Sequence, residues 1–235
     1  MSAPTPANDR IVWIDCEMTG LDLIRDALIE VAAIVTDSEL NVLDEGIDVV
    51  ITPPDEALEQ MDPFVREMHT TSKLLDVLDD GMSLTDAQDL VLEYIRQWVP
   101  EPRKAPLAGN SIGTDKAFLE RDMRQLVAHL HYRVIDVSSI KELARRWYPR
   151  IYYASPEKAG GHRALADICE SIDELRYYRA AMMVPQPGPD SAQARQIATQ
   201  VMASSVTGPR DAATGAAKAP DAPEPSGDSG VADGT

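Results

Sequence analysis

The chain has 235 residues, 44% of them hydrophobic, and a formal net charge of −17. That size and content suit one domain with a sizeable core plus an extension. The charge argues against long DNA or RNA held in an extended basic groove, because that affinity scales with the phosphates neutralised; a short nucleic acid, with few phosphates, is not excluded. No run approaches the roughly 18 apolar residues of a membrane span, and residues 1–10 (MSAPTPANDR) lack an apolar signal core. No membrane association is expected. The two cysteines, Cys16 and Cys169, make no disulfide framework. A reducing cytoplasm is the expected location, with both thiols buried as small hydrophobes.

Residues 1–8 are expected to be flexible. Residues 11–17 (IVWIDCE) read as a strand in which Ile11, Trp13, Asp15 and Glu17 share one face and Val12, Ile14 and Cys16 the other. Apolar residues on both faces predict a central strand covered on both sides. Residues 28–36 and 42–51 are two more β-rich runs joined by the polar stretch DSELN, which predicts an antiparallel meander of three strands. Residues 53–104 are more helical. Leu84, Ala87, Val91, Tyr94, Ile95 and Trp98 follow helical spacing behind Ser83, a candidate N-cap, until the prolines at 100, 102 and 106. Residues 105–109 (APLAG) predict a short buried strand. A helix from about 114 would turn Phe118, Leu119, Met123, Leu126 and Leu130 inward. Residues 133–137 (RVIDV) predict the fifth strand, followed by a helix near 138–147. A last helix carries Leu165, Ile168, Ile172, Leu175 and Met182. The order predicts an α/β fold with a mixed sheet and a central first strand. From 185 to 235 the chain is rich in Ala, Pro and Gly without any aromatic residue, the composition of a disordered tail, although a short helix over 192–202 is allowed.

Three separated patches carry candidate chemistry: Asp15 and Glu17 in IDCEMTGL, Asp115 in GNSIGTDKAFL, and His162 with Asp167 in GHRALAD. Each has an ordinary explanation when taken alone. D-x-E occurs on many solvent-facing strands, an acid at position 115 complements a helix dipole, and a histidine at a helix start is often a cap or a surface residue. Gathered at one point, however, four carboxylates would repel each other unless divalent cations sat among them. Such oxygen-rich sites suit Mg²⁺ or Mn²⁺ rather than zinc, and two ions side by side are a common means of cleaving a phosphodiester. A histidine after two glycines suits a proton acceptor near neutrality. Between residues 141 and 163 the balance is six bases to two acids, a local net charge of +4 in an acidic chain.

The strings DCEMTGLD, MHTTS, GNSIGTDKAFL, HYRVIDVSSIKELARRWYP and GHRALADICESIDELRYYR resemble the DEDDh exonucleases of the ribonuclease H-like superfamily, and within them the oligoribonuclease branch, over residues 9–184. The resemblance implies a ribonuclease H-like mixed five-stranded sheet, a three-strand antiparallel meander plus two parallel strands, flanked by helices. It implies that Asp15, Glu17, Asp115 and Asp167 hold two Mg²⁺ or Mn²⁺ ions per active site, with Asp15 bridging them. His162 would take the proton of the attacking water, and the products would be 5′-mononucleotides released from the 3′ end. Leu21 would wedge between the two bases of the substrate and Phe64, where many relatives carry tryptophan, would stack on one of them. His69 would line the base pocket, and Ser111, Arg133 and Ser138 would bind the 5′ phosphate. Tyr132 would come from the second subunit of a homodimer. A closed cap of this kind implies a preference for dinucleotides and fits one small basic pocket in place of a long groove. The alternatives are a DEDDh DNA exonuclease of the proofreading type, and a non-catalytic nucleic-acid-binding relative.

Overall fold

In the computed structural model, which describes residues 9–157 and 163–204, the chain divides at Val184/Pro185 into two units. The first is built on five strands: β1 (Ile11–Met18), β2 (Leu28–Thr36), β3 (Ile47–Val50), β4 (Pro106–Gly109) and β5 (His131–Asp136). Their order is β3-β2-β1-β4-β5, so β1 is central. β1, β2 and β3 form the antiparallel meander, while β4 runs parallel to β1 and β5 parallel to β4. This is the mixed sheet that the strand and helix order predicts.

Nine helices accompany the sheet among the described residues: α1 (Asp55–Glu59), α2 (Pro63–Thr71), α3 (Leu84–Trp98), α4 (Gly113–Asp122), α5 (Arg124–His129), α6 (Val137–Trp147), α7 (Pro149–Tyr153), α8 (Ala164–Met182) and α9 (Ser191–Ala203). A 3₁₀ turn spans Leu75–Asp80. Ser83 caps α3 as predicted, its hydroxyl oxygen accepting from the Asp86 N–H at 3.2 Å.

The alternation of β1 sorts the core into two layers. Val12, Ile14 and Cys16 pack with Val91, Ile95, Phe118, Leu119 and Leu126, on the side of α3, α4 and α5. Trp13 packs on the other side with Ala32, Ile34, Ala108, Val137, Ala164, Ile168 and Ile172, against α6 and α8. The buried Trp13 indole donates to the Thr36 hydroxyl at 3.0 Å. Both faces of β1 are therefore covered, and Asp15 and Glu17 leave the sheet on the Trp13 side, toward α8.

Several boundaries differ from the sequence expectation. The third strand begins at Ile47 rather than 42, because Asp44 turns the chain by accepting the Gly46 N–H, and Gly46 takes φ +81. Val42 keeps only an isolated bridge to Thr36. The fifth strand begins two residues early, at His131, and stops at Asp136, whose carboxylate caps α6 by accepting the Ser138 N–H at 2.9 Å. The single helix expected from 114 breaks at Met123 into α4 and α5. Cys16 is buried as expected, but Cys169 is exposed, since the apolar face of α8 runs through Ile168, Ile172 and Leu175 and turns position 169 outward. In the second unit, expected to be a disordered tail, residues 191–203 form α9, close to the 192–202 that the sequence allowed. Its start carries a capping box, Asp190 with Gln193.

Candidate active site

β4 pairs with β1 only at the level of Val12 and Trp13. Beyond Gly109 the chain turns away into α4, so the last residues of β1 face an opening between diverging strands. Such openings at the carboxyl ends of strands are where open α/β sheets bind ligands. Gly109 allows the divergence: a β-carbon there would lie 2.8 Å from Ile112 Cδ1 and 3.1 Å from the Ile14 carbonyl oxygen. The Cys16 N–H left without a strand partner donates to Asp115 Oδ1 at 3.0 Å. Asp115, 7% exposed, is thereby fixed beside the two acids that flank Cys16.

Carboxylate oxygens of Asp15, Glu17 and Asp167 lie within 4.8 Å of one another. Asp115 stands outside that triplet but close enough to act on it. Burial, then the charges of Asp115, Glu17, Asp167 and Glu30, push the Asp15 carboxyl up to about 9. Burial together with Asp167, Glu30 and Asp115 pushes Glu17 up to about 8, against an opposing pull from Arg163. Asp115 rises to about 6 through burial, held back by hydrogen bonds from backbone N–H groups. Carboxylates crowded and buried to this degree hold protons unless a cation replaces them. Oxygen donors at this spacing fit a hard divalent ion, which identifies the cluster as a candidate metal centre. His162 lies outside the described residues.

The other predicted residues are in different states, and Tyr132 and Arg133 lie at the start of β5, level with the beginning of β1. Leu21 and Phe64 are 74% and 76% exposed. Leu21 sits on a loop braced by Asp26, which accepts from the Thr19 hydroxyl at 3.0 Å and the Asp22 N–H at 2.9 Å. Asp26 packs tightly over Gly20, where a β-carbon would lie 2.4 Å from Asp26 Oδ2 and displace that carboxylate. Phe64 opens α2, whose N-cap Asp62 accepts the Phe64 N–H at 2.8 Å. His69, on the same helix, is fully buried. Its Nε2 donates to the Met18 carbonyl at 2.9 Å, and its Nδ1 lies 3.9 Å from Glu17 Oε2. The imidazole thus ties α2 to the end of β1 behind the metal cluster.

Ser111 and Ser138 are brought together, their hydroxyl oxygens 3.0 Å apart. Ser111 is held at φ +52 by its N–H, which donates to both Asp136 Oδ1 and Ser138 Oγ. The Ser138 hydroxyl also donates to Asn110 Oδ1, and the Asn110 amide donates to Ser171 and Glu174 on α8. Arg133 instead contacts Tyr132, donating to its phenol oxygen at 3.1 Å. Tyr132 projects from edge strand β5 at 77% exposure. Four of the cations in the basic stretch over 141–163 are held in ion pairs among the described residues. Arg145 and Arg146 pair with Glu142, Lys141 with Glu174, and Arg163 with Glu30 and Asp48.

Sequence reasoning passed over Glu30, Arg163 as its partner, and Asn110. Glu30 had one readable signal, as the only charged residue in a nine-residue strand that is buried throughout.

A family model described as an exonuclease matches residues 12–175. The oligoribonuclease of Streptomyces griseus is 67% identical over 196 residues, covering 83% of this chain and 98% of its own. That of Cutibacterium acnes is 62% identical over 190 residues, covering 81% and 94%. Among solved structures, the zinc-bound Escherichia coli exonuclease I complex with single-stranded DNA aligns with a TM-score of 0.58 at 17% identity, over 74% of this chain and 41% of that longer one. An exonuclease I from Methylocaldum szegediense gives 0.57 at 19%, over 74% and 41%. These two speak for the fold. The chain belongs to the exonuclease family and, within it, to the oligoribonucleases. It is a nuclease, a phosphodiester hydrolase of ribonuclease H-like fold.

Proposed function

We propose that the protein is a 3′-to-5′ exoribonuclease that hydrolyses very short RNA, dinucleotides above all, to 5′-mononucleotides. The observation that carries this reading is the oxygen cluster of Asp15, Glu17 and Asp167 at the open end of the central strand, with Asp115 anchored beside it. Two Mg²⁺ or Mn²⁺ ions held there would supply Lewis-acid stabilisation of the attacking and leaving oxygens. Asp15, Glu17 and Asp167 would hold the ions, with Asp115 completing the set. His162, two residues before the described start of α8, would accept the proton of the attacking water.

Leu21 and Phe64 expose apolar surface suited to base stacking. Ser111, Ser138 and Arg133 offer donors for a terminal phosphate. Shortness of substrate fits a chain of net charge −17 whose cations near the site are mostly paired. We read the protein as a homodimer in which Tyr132 of one subunit completes the other's site. Edge strand β5, α6 and α7 expose Tyr132, Val134, Leu143, Trp147, Tyr148 and Tyr153, a concentration of large apolar side chains typical of interfaces. Catalysis is assigned to residues 9–184, with 185–235 outside it. No helix among the described residues is long and apolar enough to cross a membrane, and we place the enzyme in the cytoplasm.

The competing reading is a DNA exonuclease on the same catalytic residues. Labelled RNA and DNA dinucleotides, each with Mn²⁺ or with EDTA, separate the two. Rapid cleavage of RNA that stops in EDTA is expected. Equal rates on DNA, or full activity in EDTA, would remove the proposal.

A further inference from the structure

Glu30 stands directly across from Glu17 in the β1–β2 register and is fully buried. Opposed residues share one face of a sheet, so this acid lies on the side of the metal cluster. Its Oε1 accepts from Arg163 Nε at 2.7 Å and Nη2 at 2.6 Å, and its Oε2 accepts the Ala164 N–H at 2.9 Å. Arg163 also reaches Asp48 Oδ2 on β3 at 3.4 Å. Arg163 is the N-cap of α8 and has no side-chain cap of the usual kind. The Glu30 carboxylate takes that place from a neighbouring strand, answering an N–H that the helix itself leaves unpaired. One turn on, the Asp167 N–H donates to the Arg163 carbonyl at 3.0 Å. Asp167 then delivers its carboxylate to Asp15 and Glu17.

Stability alone is a poor reason for this arrangement. A buried ion pair is often no better than well-packed apolar residues of the same volume. Here the acid also places a second buried carboxylate directly across from Glu17, on the side of the acidic cluster. What the two-point grip supplies is direction.

We propose that Glu30 is a positioning residue: through Arg163 and the Ala164 N–H it fixes the first turn of α8, and so sets where Asp167 meets Asp15 and Glu17. The inference rests on the metal-dependent nuclease reading above, but it has a readout that needs no turnover.

The test uses the full chain carrying Glu30→Gln, Arg163→Met, or both. Mn²⁺ affinity is measured without substrate by electron paramagnetic resonance, alongside kcat and KM on an RNA dinucleotide, with folding checked by circular dichroism. Each single variant is expected to weaken Mn²⁺ binding and kcat by about 10- to 100-fold, the usual range for groups that orient metal ligands. KM is expected to stay within about threefold, because stacking and phosphate contacts are elsewhere. The double variant is expected to lose little beyond the worse single, since both changes break one link. Folded Glu30→Gln with Mn²⁺ affinity within about twofold of wild type would overturn the proposal, as would losses that multiply in the double. Should Glu30→Gln fail to fold, Arg163→Met decides by the same criteria. If the wild type leaves RNA dinucleotides intact, the nuclease reading falls while the Mn²⁺ comparison still judges Glu30.

Discussion

Asp15 carries the highest cost in the site and shows how residue and ion depend on each other. In the metal-free protein its carboxyl titrates near 9, Glu17 near 8 and Asp115 near 6, each above an ordinary carboxyl value of 3.8 to 4.5. Groups raised in the folded state bind more protons there than in the unfolded chain. Their contribution is fully present below about pH 4 and is lost as pH climbs through 6, 8 and 9. Thermal melts in EDTA are therefore expected to fall in Tm from pH 5 to pH 9, with Mn²⁺ raising Tm more at pH 8 than at pH 6. Asp15→Asn is expected to flatten that slope and abolish turnover while keeping the fold, since it removes a repelled charge. A Tm in EDTA that rises over this range would contradict the electrostatic account. At this scale the sequence was informative about the acids and uninformative about their supports. Asp15, Glu17, Asp115 and Asp167 were legible because acids in apolar surroundings ask for an explanation. The burial of His69 was not legible because only the packing of α2 on the end of β1 produces it, and Glu30 was hidden inside a strand that otherwise reads as core.

Among the elements, β1 and α8 do most to make the site. β1 was legible from the alternation of 11–17, which correctly implied cover on both faces. α8 was legible from its apolar spacing, although Cys169 shows how one position of error turns a buried residue outward. The break between α4 and α5 was not legible, since Phe118, Leu119, Met123 and Leu126 satisfy one helical period while Met123 leaves helical backbone at φ −123. α4 matters because it carries Asp115 one turn before Phe118, a fully buried ring in the layer that also holds Val12 and Ile14. Phe118→Ala is expected to cost about 3–5 kcal/mol in urea unfolding, as buried aromatic truncations do. Stability within about 1 kcal/mol of wild type would mean that α4 is not anchored by this contact.

On the scale of the molecule, charge and exposed surface point the same way. Four cations of the +4 stretch are held in pairs among the described residues: Lys141 and Arg163 by Glu174 and Glu30, distant in sequence, and Arg145 and Arg146 by Glu142 one turn away. Counting charge over 141–163 includes Glu142 but cannot see Glu30 and Glu174. The apolar side chains that face outward include Tyr132 and Val134 on β5, Leu143 and Trp147 on α6 and Tyr153 on α7. If Tyr132 acts across a dimer, Tyr132→Ala is expected to remain dimeric by light scattering yet lose dinucleotide turnover by about tenfold or more, as interface aromatic anchors do. Unchanged turnover would remove the shared site.

If a small, capped site rather than a groove selects the substrate, as proposed, cleavage depends steeply on chain length. Initial rates on 5′-labelled RNA of two to seven nucleotides, at fixed Mn²⁺, test it most directly. The account expects the dinucleotide to be cleaved fastest, with a steep fall as length increases; similar rates at every length would contradict it.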